Sequence, residues 1–241
     1  MTEKRSIAGI AFDLEGTIVD VEYAHHLGFV RAAEDLGIEL TYETIFEKIL
    51  DLVGGTNETI SREIAALDNR DDSCARNIIE RKIFHYEKLL KTLEIKVRPG
   101  FVEILKWLRH NGYETSIGTG TSKTKAEPLI EKSGLYFHFD KNKIVFAEDV
   151  QNIKPAPDVW YETARRMNID FKRQIVFEDT KRGLQSVRNA GLVGIAIPVY
   201  RMPHVIKPLI DEGAARVFMD WREINITALL KNLNTEFFGQ K

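Results

Sequence analysis

The chain has 241 residues, 44% of them hydrophobic, which suits one sizeable core with a modest insertion and excludes a disordered chain. Lysine and arginine number 34 against 36 aspartates and glutamates, and the formal net charge of -2 gives no electrostatic case for nucleic acid or an anionic membrane as partner. A single cysteine, Cys74, rules out an internal disulfide; with no apolar run long enough for a signal peptide or a bilayer span, the expectation is a cytoplasmic protein.

Residues 6–12 (SIAGIAF) form a nearly continuous apolar run, the pattern of a strand covered on both faces. Residues 21–93 then show helical periodicity almost throughout, with turns expected at Gly37, at Gly54-Gly55 and across residues 68–72. No strand pattern occurs there, so this interval reads as a small helical domain inserted after the first strand. Pro99 suits the first turn of the next helix, which carries Phe101, Ile104, Leu105 and Leu108 at helical spacing and stops before Gly112. Further strands are expected at residues 114–119, 174–177, 194–198 and 216–219, and further helices at 155–168 and 180–190. This alternation predicts an α/β fold, a doubly wound parallel sheet formed by residues 1–20 and 94–241.

The polar residues gather where strands end. The first strand stops at Asp13-Leu14-Glu15-Gly16-Thr17, two acids at the end of a parallel strand, where such sheets open a crevice. An acid–glycine turn also ends strands without any function, so the pair has two readings. Ile117-Gly118-Thr119-Gly120 offers a hydroxyl and glycine N–H groups suited to phosphate oxygens; an ordinary helix N-cap at Thr119 is the plainer role. The segment Gly118 to Thr124 (GTGTSKT) lacks the Gly-Lys-Ser/Thr ending of a nucleotide-binding loop, and that reading is rejected. Lys154-Pro155-Ala156-Pro157-Asp158 sets a lysine before a proline-fixed helix start, which would aim its charge; a solvated lysine is the alternative. Val176-Phe177-Glu178-Asp179-Thr180 brings two adjacent acids to a further strand end. Such a pair is costly to bury unless a hard cation such as Mg²⁺ holds it, or Asp179 caps a helix.

An acid pair, a threonine, a lysine and a second acid pair, each at a strand end and in this order, resemble the four motifs of the haloacid dehalogenase superfamily. The similarity is greatest to its β-phosphoglucomutase-like subfamily, whose KPAPD and FEDS-type segments match KPAPD and FEDT here, and whose helical cap follows the first motif as residues 21–93 do. The resemblance implies a Mg²⁺-dependent enzyme in which Asp13 attacks phosphorus and becomes an aspartyl-phosphate. It further implies that Asp13, Asp179 and the backbone carbonyl of Glu15 hold the metal, that Glu178 orients its surroundings, and that Thr119, the Gly120 N–H and Lys154 bind the transferring group. The expected partner is a small phosphorylated metabolite, and the expected state a monomer or weak homo-oligomer.

One departure concerns the first motif. Most phosphatases and mutases of the superfamily read DxD, with the second aspartate as general acid and base, and here that seat holds Glu15. Enolase-phosphatases of the same superfamily read DxEGT, so the seat tolerates glutamate, though their fourth motif differs from FEDT. His25, Lys82 and Tyr86 echo positions in the mutase cap, whereas Asn57 stands where the mutase has an arginine that grips a second phosphate. The expectation is therefore a phosphatase, with a sugar phosphomutase next and a catalytically weakened phosphate-binding regulator third. His26 reads as a polar helix residue, and His85, His110, His138 and His204 show no metal-ligand spacing.

Overall fold

The computed structural model describes residues 6–53 and 55–239 of the chain. Two compact units are present, Met1–Asp20 with Lys96–Lys241, and Val21–Ile95.

In the first unit, and among the described residues, six parallel strands run β1 (Gly9–Phe12), β2 (Glu114–Gly118), β3 (Ile144–Val145), β4 (Gln174–Glu178), β5 (Val193–Ala196) and β6 (Arg216–Val217) along the chain. Their order in the sheet is β3-β2-β1-β4-β5-β6. The central β1 is buried along its whole length, which is why it consists of Gly, Ile, Ala and Phe and lacks alternation. Phe12 pairs in register with Ile117 of β2 and with Phe177 of β4, so the three strands end level. The chain leaves β1 toward β2 on one side and returns to β4 on the other, which makes this end a topological switch point. Phe12, Phe177, Phe101 and Trp221 pack behind it, with the Trp221 ring 4.8 Å from Phe177 and 5.1 Å from Phe101.

The second unit is helical, with α1 (Glu22–Asp35), α2 (Ile45–Lys48), α3 (Asn57–Ala66) and α4 (Asp72–Thr92). Phe29, Ala32, Ile45, Ile49, Ile60, Ile64 and Ile78 form its core. Helix α1 is followed by Gly37 at φ 70, while Thr56 caps α3 and Asp71 caps α4 through side-chain oxygens. The expected turn at Gly54-Gly55 falls partly outside the described residues. Asn57 is the first residue of α3.

Back in the first unit lie α5 (Phe101–His110), α6 (Lys123–Lys132), α7 (Asp158–Met167), α8 (Lys181–Asn189), α9 (Pro203–Asp211) and α10 (Ile226–Leu233). Several details differ from the sequence reading. Pro99 stands before α5, whose N-cap is Gly100 at φ 90. A Cβ at residue 100 would lie 2.9 Å from the Arg222 nitrogen, so the close approach of that backbone selects glycine there. Helix α7 begins at Asp158 and not at Pro155; the segment before it is irregular and contains a cis Lys154–Pro155 peptide. Strand β3 had no counterpart in the sequence reading, and β6 is two residues where four were expected. No helix among the described residues is long and apolar enough to cross a membrane.

Candidate active site

The level strand ends carry the acids. Asp13 follows β1, and its N–H donates to the Phe177 carbonyl at 3.0 Å, which extends the ladder one residue beyond the strand. Glu178 closes β4 and Asp179 follows it. Asp13, Glu178 and Asp179 are all buried, and each offers a carboxylate oxygen within 4.8 Å of the others.

Lys154 ties two of these acids together. Its Nζ donates to Asp13 Oδ1 at 2.5 Å and to Glu178 Oε1 at 2.8 Å, and sits 4.4 Å from the Trp160 ring centroid. Burial alone would favour the neutral amine, but Asp13 and Glu178 outweigh it and hold the Lys154 pKa above the ordinary lysine range. What aims this lysine is not a helix start. Arg182 Nε donates to the Lys154 carbonyl at 2.6 Å, Ser186 Oγ to the Ala156 carbonyl at 2.6 Å and Asn189 Nδ2 to the Pro155 carbonyl at 2.9 Å. One face of α8 thus grips the irregular segment carbonyl by carbonyl.

Glu178 is bonded through both carboxylate oxygens. Its Oε2 accepts from the N–H groups of Asp179 at 2.9 Å and Thr180 at 3.0 Å, and from Thr180 Oγ1 at 3.1 Å. A Cβ on Gly183 would fall 1.8 Å from its carboxylate, so glycine is required where α8 passes. Asp179 is not the helix cap: Thr180 fills that place, accepting from the Gly183 N–H at 3.0 Å. Asp179 Oδ1 instead accepts from Thr17 Oγ1 at 3.0 Å.

Burial pushes the Asp13 pKa up to about 7; Lys154 opposes the shift, and Glu178 and Glu15 add to it. Lys154 bonds Asp13 and Glu178 of this buried trio of carboxylates. An all-oxygen set of buried carboxylates fits a hard divalent ion such as Mg²⁺. By its three donors and its lysine, Glu178 is suited to orienting the cluster, while Asp13 and Asp179 are better placed to ligate.

The loop 14–19 folds back on itself. Gly16 N–H donates to the Val19 carbonyl at 2.7 Å, and Val19 N–H to the Leu14 carbonyl at 3.0 Å. Arg98 clamps it. Its Nη1 donates to the carbonyls of Gly16 at 2.5 Å and Ile197 at 2.6 Å, and its Nη2 to those of Pro198 at 3.2 Å and Met219 at 3.3 Å. Trp221 Nε1 holds the Thr17 carbonyl at 3.0 Å.

Thr119 is buried just past β2, and its Oγ1 accepts from the Thr121 N–H at 3.0 Å. Ser122, not Thr119, occupies the N-cap of α6, so the plain capping role is absent. Gly120 is exposed beside Lys154, whose Cδ would lie 3.9 Å from a Cβ there. Thr121 Oγ1 donates to Glu15 Oε2. The structure thus draws Asp13, Lys154, Glu178 and Asp179 into one cluster, and joins Glu15 to the Thr119–Gly120 turn through Thr121. Sequence reasoning missed Arg98, Thr121, Arg182 and Trp221, none of which belongs to a motif.

In the helical unit, Lys82 Nζ lies 2.8 Å from His25 Nδ1, and the His25 ring stacks on Tyr86 at 4.0 Å. Burial, reinforced by Lys82, pushes the His25 pKa down to about 3, so the imidazole is neutral and accepts from the ammonium. His26 pairs with Glu22 at 3.3 Å on the same helix.

The sequence profile described as haloacid dehalogenase-like hydrolase matches residues 10–197. The chain is similar to the fructose-1-phosphate phosphatase YqaB of Escherichia coli, 30% identical over 192 residues, with 79% of this chain and 96% of that protein covered. It is also similar to a phosphorylated carbohydrates phosphatase of Thermotoga maritima, 24% identical across 90% of this chain and 96% of that protein. Among solved structures, a hydrolase of this kind (family IA, variant 3) from Entamoeba histolytica superposes with a TM-score of 0.76, at 25% identity, over 95% of this chain and all (100%) of that one.

Proposed function

The chain belongs to the haloacid dehalogenase-like hydrolases and is a phosphatase among them, and from that premise we propose that it hydrolyses a small phosphorylated sugar through an aspartyl-phosphate on Asp13. The observation that carries the proposal is the cluster at the switch point, where Lys154 reaches both Asp13 and Glu178 and Asp179 stands within ligand distance of them. The named activities of the curated relatives support the sugar phosphate.

Asp13 and Asp179, with the backbone carbonyl of Glu15, would hold Mg²⁺, and Glu178 would orient them. When bound, the cation supplies charge that offsets repulsion between the Asp13 carboxylate and an anionic phosphoryl group. The Thr119 hydroxyl, the Gly120 N–H and Lys154 bind the phosphoryl oxygens, where negative charge has to be stabilised. A carboxylate oxygen of Asp13 attacks phosphorus and the bond to the leaving oxygen breaks. Glu15 gives that oxygen a proton. Water then attacks the aspartyl-phosphate and loses a proton to Glu15. The bond between phosphorus and Asp13 breaks, releasing phosphate and restoring both acids.

The test is phosphate release from p-nitrophenyl phosphate and a panel of sugar phosphates, with and without Mg²⁺, for the protein and for Asp13→Asn. Turnover that needs Mg²⁺ and falls on the order of 10⁴-fold in a folded Asp13→Asn variant is the expected result. Near wild-type turnover of that variant would remove Asp13 as nucleophile. A sugar phosphomutase is the second reading, favoured by the His25–Lys82 contact. Interconversion of sugar phosphate isomers, stimulated by a bisphosphate, would select it.

A further inference from the structure

Glu15 has one more methylene than the aspartate common in its seat, and therefore one more rotatable bond. Left to itself, that arm samples several directions, and an acid misplaced by about 1 Å loses much of its effect. Something has to choose the direction.

The contact with Thr121 does so. Thr121 Oγ1 donates to Glu15 Oε2, and the contact spans 106 positions of sequence. Both ends of it stand on clamped backbone. The Thr121 N–H donates to Thr119 Oγ1 at 3.0 Å, and its carbonyl accepts from the Ala147 N–H at 3.1 Å. On the other side, Arg98 and the Val19 carbonyl fix the Gly16 peptide that follows Glu15. An aspartate at position 15 would draw its carboxylate back by about 1.5 Å, one carbon–carbon bond, beyond the reach of this hydroxyl.

From this geometry we infer that Thr121 is a positioning residue matched to Glu15: its hydroxyl selects the rotamer that brings the carboxylate to the leaving oxygen. The inference rests on the reading of Glu15 as the acid–base group. Thr121 bonds one oxygen of the carboxyl, Oε2, and so sets the direction of the whole group. Because Thr121 also orients the Thr119 hydroxyl, one residue registers the proton donor against the phosphoryl-binding turn.

The test separates proton delivery from everything else by varying the leaving group. The ratio of kcat/KM for phenyl phosphate to that for p-nitrophenyl phosphate is measured with Mg²⁺ in the whole protein and in Glu15→Gln, Thr121→Val and Thr121→Ser. The p-nitrophenolate leaves without a proton and phenolate needs one, so loss of the acid depresses the ratio. As a ratio within one preparation, it is independent of how much of a variant is folded. Thr121→Val should lower it on the order of 10-fold, the worth of a hydrogen bond to a charged group, and Thr121→Ser should restore it. An unchanged ratio in Thr121→Val, with a lowered one in Glu15→Gln, would overturn the role of Thr121 alone. A ratio that stays low in Thr121→Ser would do the same, because repacking and not the hydroxyl would then be the cause. An unchanged ratio in Glu15→Gln would remove the acid–base reading of Glu15 and this inference with it.

Discussion

A Cβ on Gly16 would lie 2.0 Å from Oδ2 of Asp179, so residue 16 is glycine because an acid from the neighbouring strand end fills the space a side chain would take. Gly16 also has φ 80, in the left-handed region. Gly16→Ala should therefore combine backbone strain of about 1–2 kcal/mol with overpacking of about 1–3 kcal/mol. Urea unfolding is expected to show a loss of about 3 kcal/mol, where an ordinary surface substitution stays within about 0.5 kcal/mol. A loss inside that smaller range would mean that the loop relaxes freely and Asp179 is not fixed by it.

Mg²⁺ should stabilise the fold in the absence of any substrate. At a free concentration about 100 times Kd, binding to the native state alone adds about 2.7 kcal/mol. The unfolding midpoint should rise with Mg²⁺ in the wild type and hardly move in Asp179→Asn, whose amide is a poorer ligand for a hard cation. An equal rise in both proteins would place the ion elsewhere.

Arg98 joins three segments, with its guanidinium bonded to the carbonyls of Gly16, Ile197, Pro198 and Met219. Arg98→Lys keeps the charge but replaces the planar fork with a point donor that cannot reach so many acceptors. The carbonyls left behind are part-buried, so the expected cost is about 2–4 kcal/mol in urea unfolding. Stability equal to wild type would show that water replaces the fork without loss.

His25 makes stability depend on pH in a definite direction. Its pKa falls from 6.5 to about 3 on folding, so below 6.5 the unfolded chain binds a proton that the native chain refuses. Stability is then lost as pH falls through that window and is recovered above it. Lys82 and His26 disfavour the imidazolium and Glu22 favours it. Because the ring is half-buried, we expect wild type to lose about 1 kcal/mol more than His25→Gln between neutrality and about pH 5. Parallel losses in the two proteins would mean that His25 titrates normally.

The sheet was legible in the chain because buried parallel strands have to be apolar on both faces, and residues 7–12 and 175–177 are. β3 was not, since two residues, Ile144 and Val145, carry no period. The four acids could be named from their places at strand ends; the lysine was expected at one too, but it lies in an irregular segment well past β3, which ends at Val145. What aims them could not. Arg182, Ser186 and Asn189 act on carbonyls 28 to 34 positions away, and a backbone acceptor leaves no mark in the sequence. Arg98 acts across up to 121 positions for the same reason. The Thr121 contact was equally hidden, because one threonine in GTGTSKT looks like another until Glu15 is set against it.

The grip of α8 on residues 154–156 also decides where this protein tolerates a change of length. Arg182, Ser186 and Asn189 recur at intervals of four and three, so they form one stripe along the helix. Inserting a single residue between Arg182 and Ser186 would rotate the later part of the stripe by about 100°, turning two of the three donors away. The connection between α7 and β4, residues 168–173, makes none of these bonds; its own ties run to the segment leading into β1, where Arg173 Nε donates to the Ser6 carbonyl at 2.8 Å. Lengthening that connection leaves Lys154 where it is, while the same addition inside α8 unseats it.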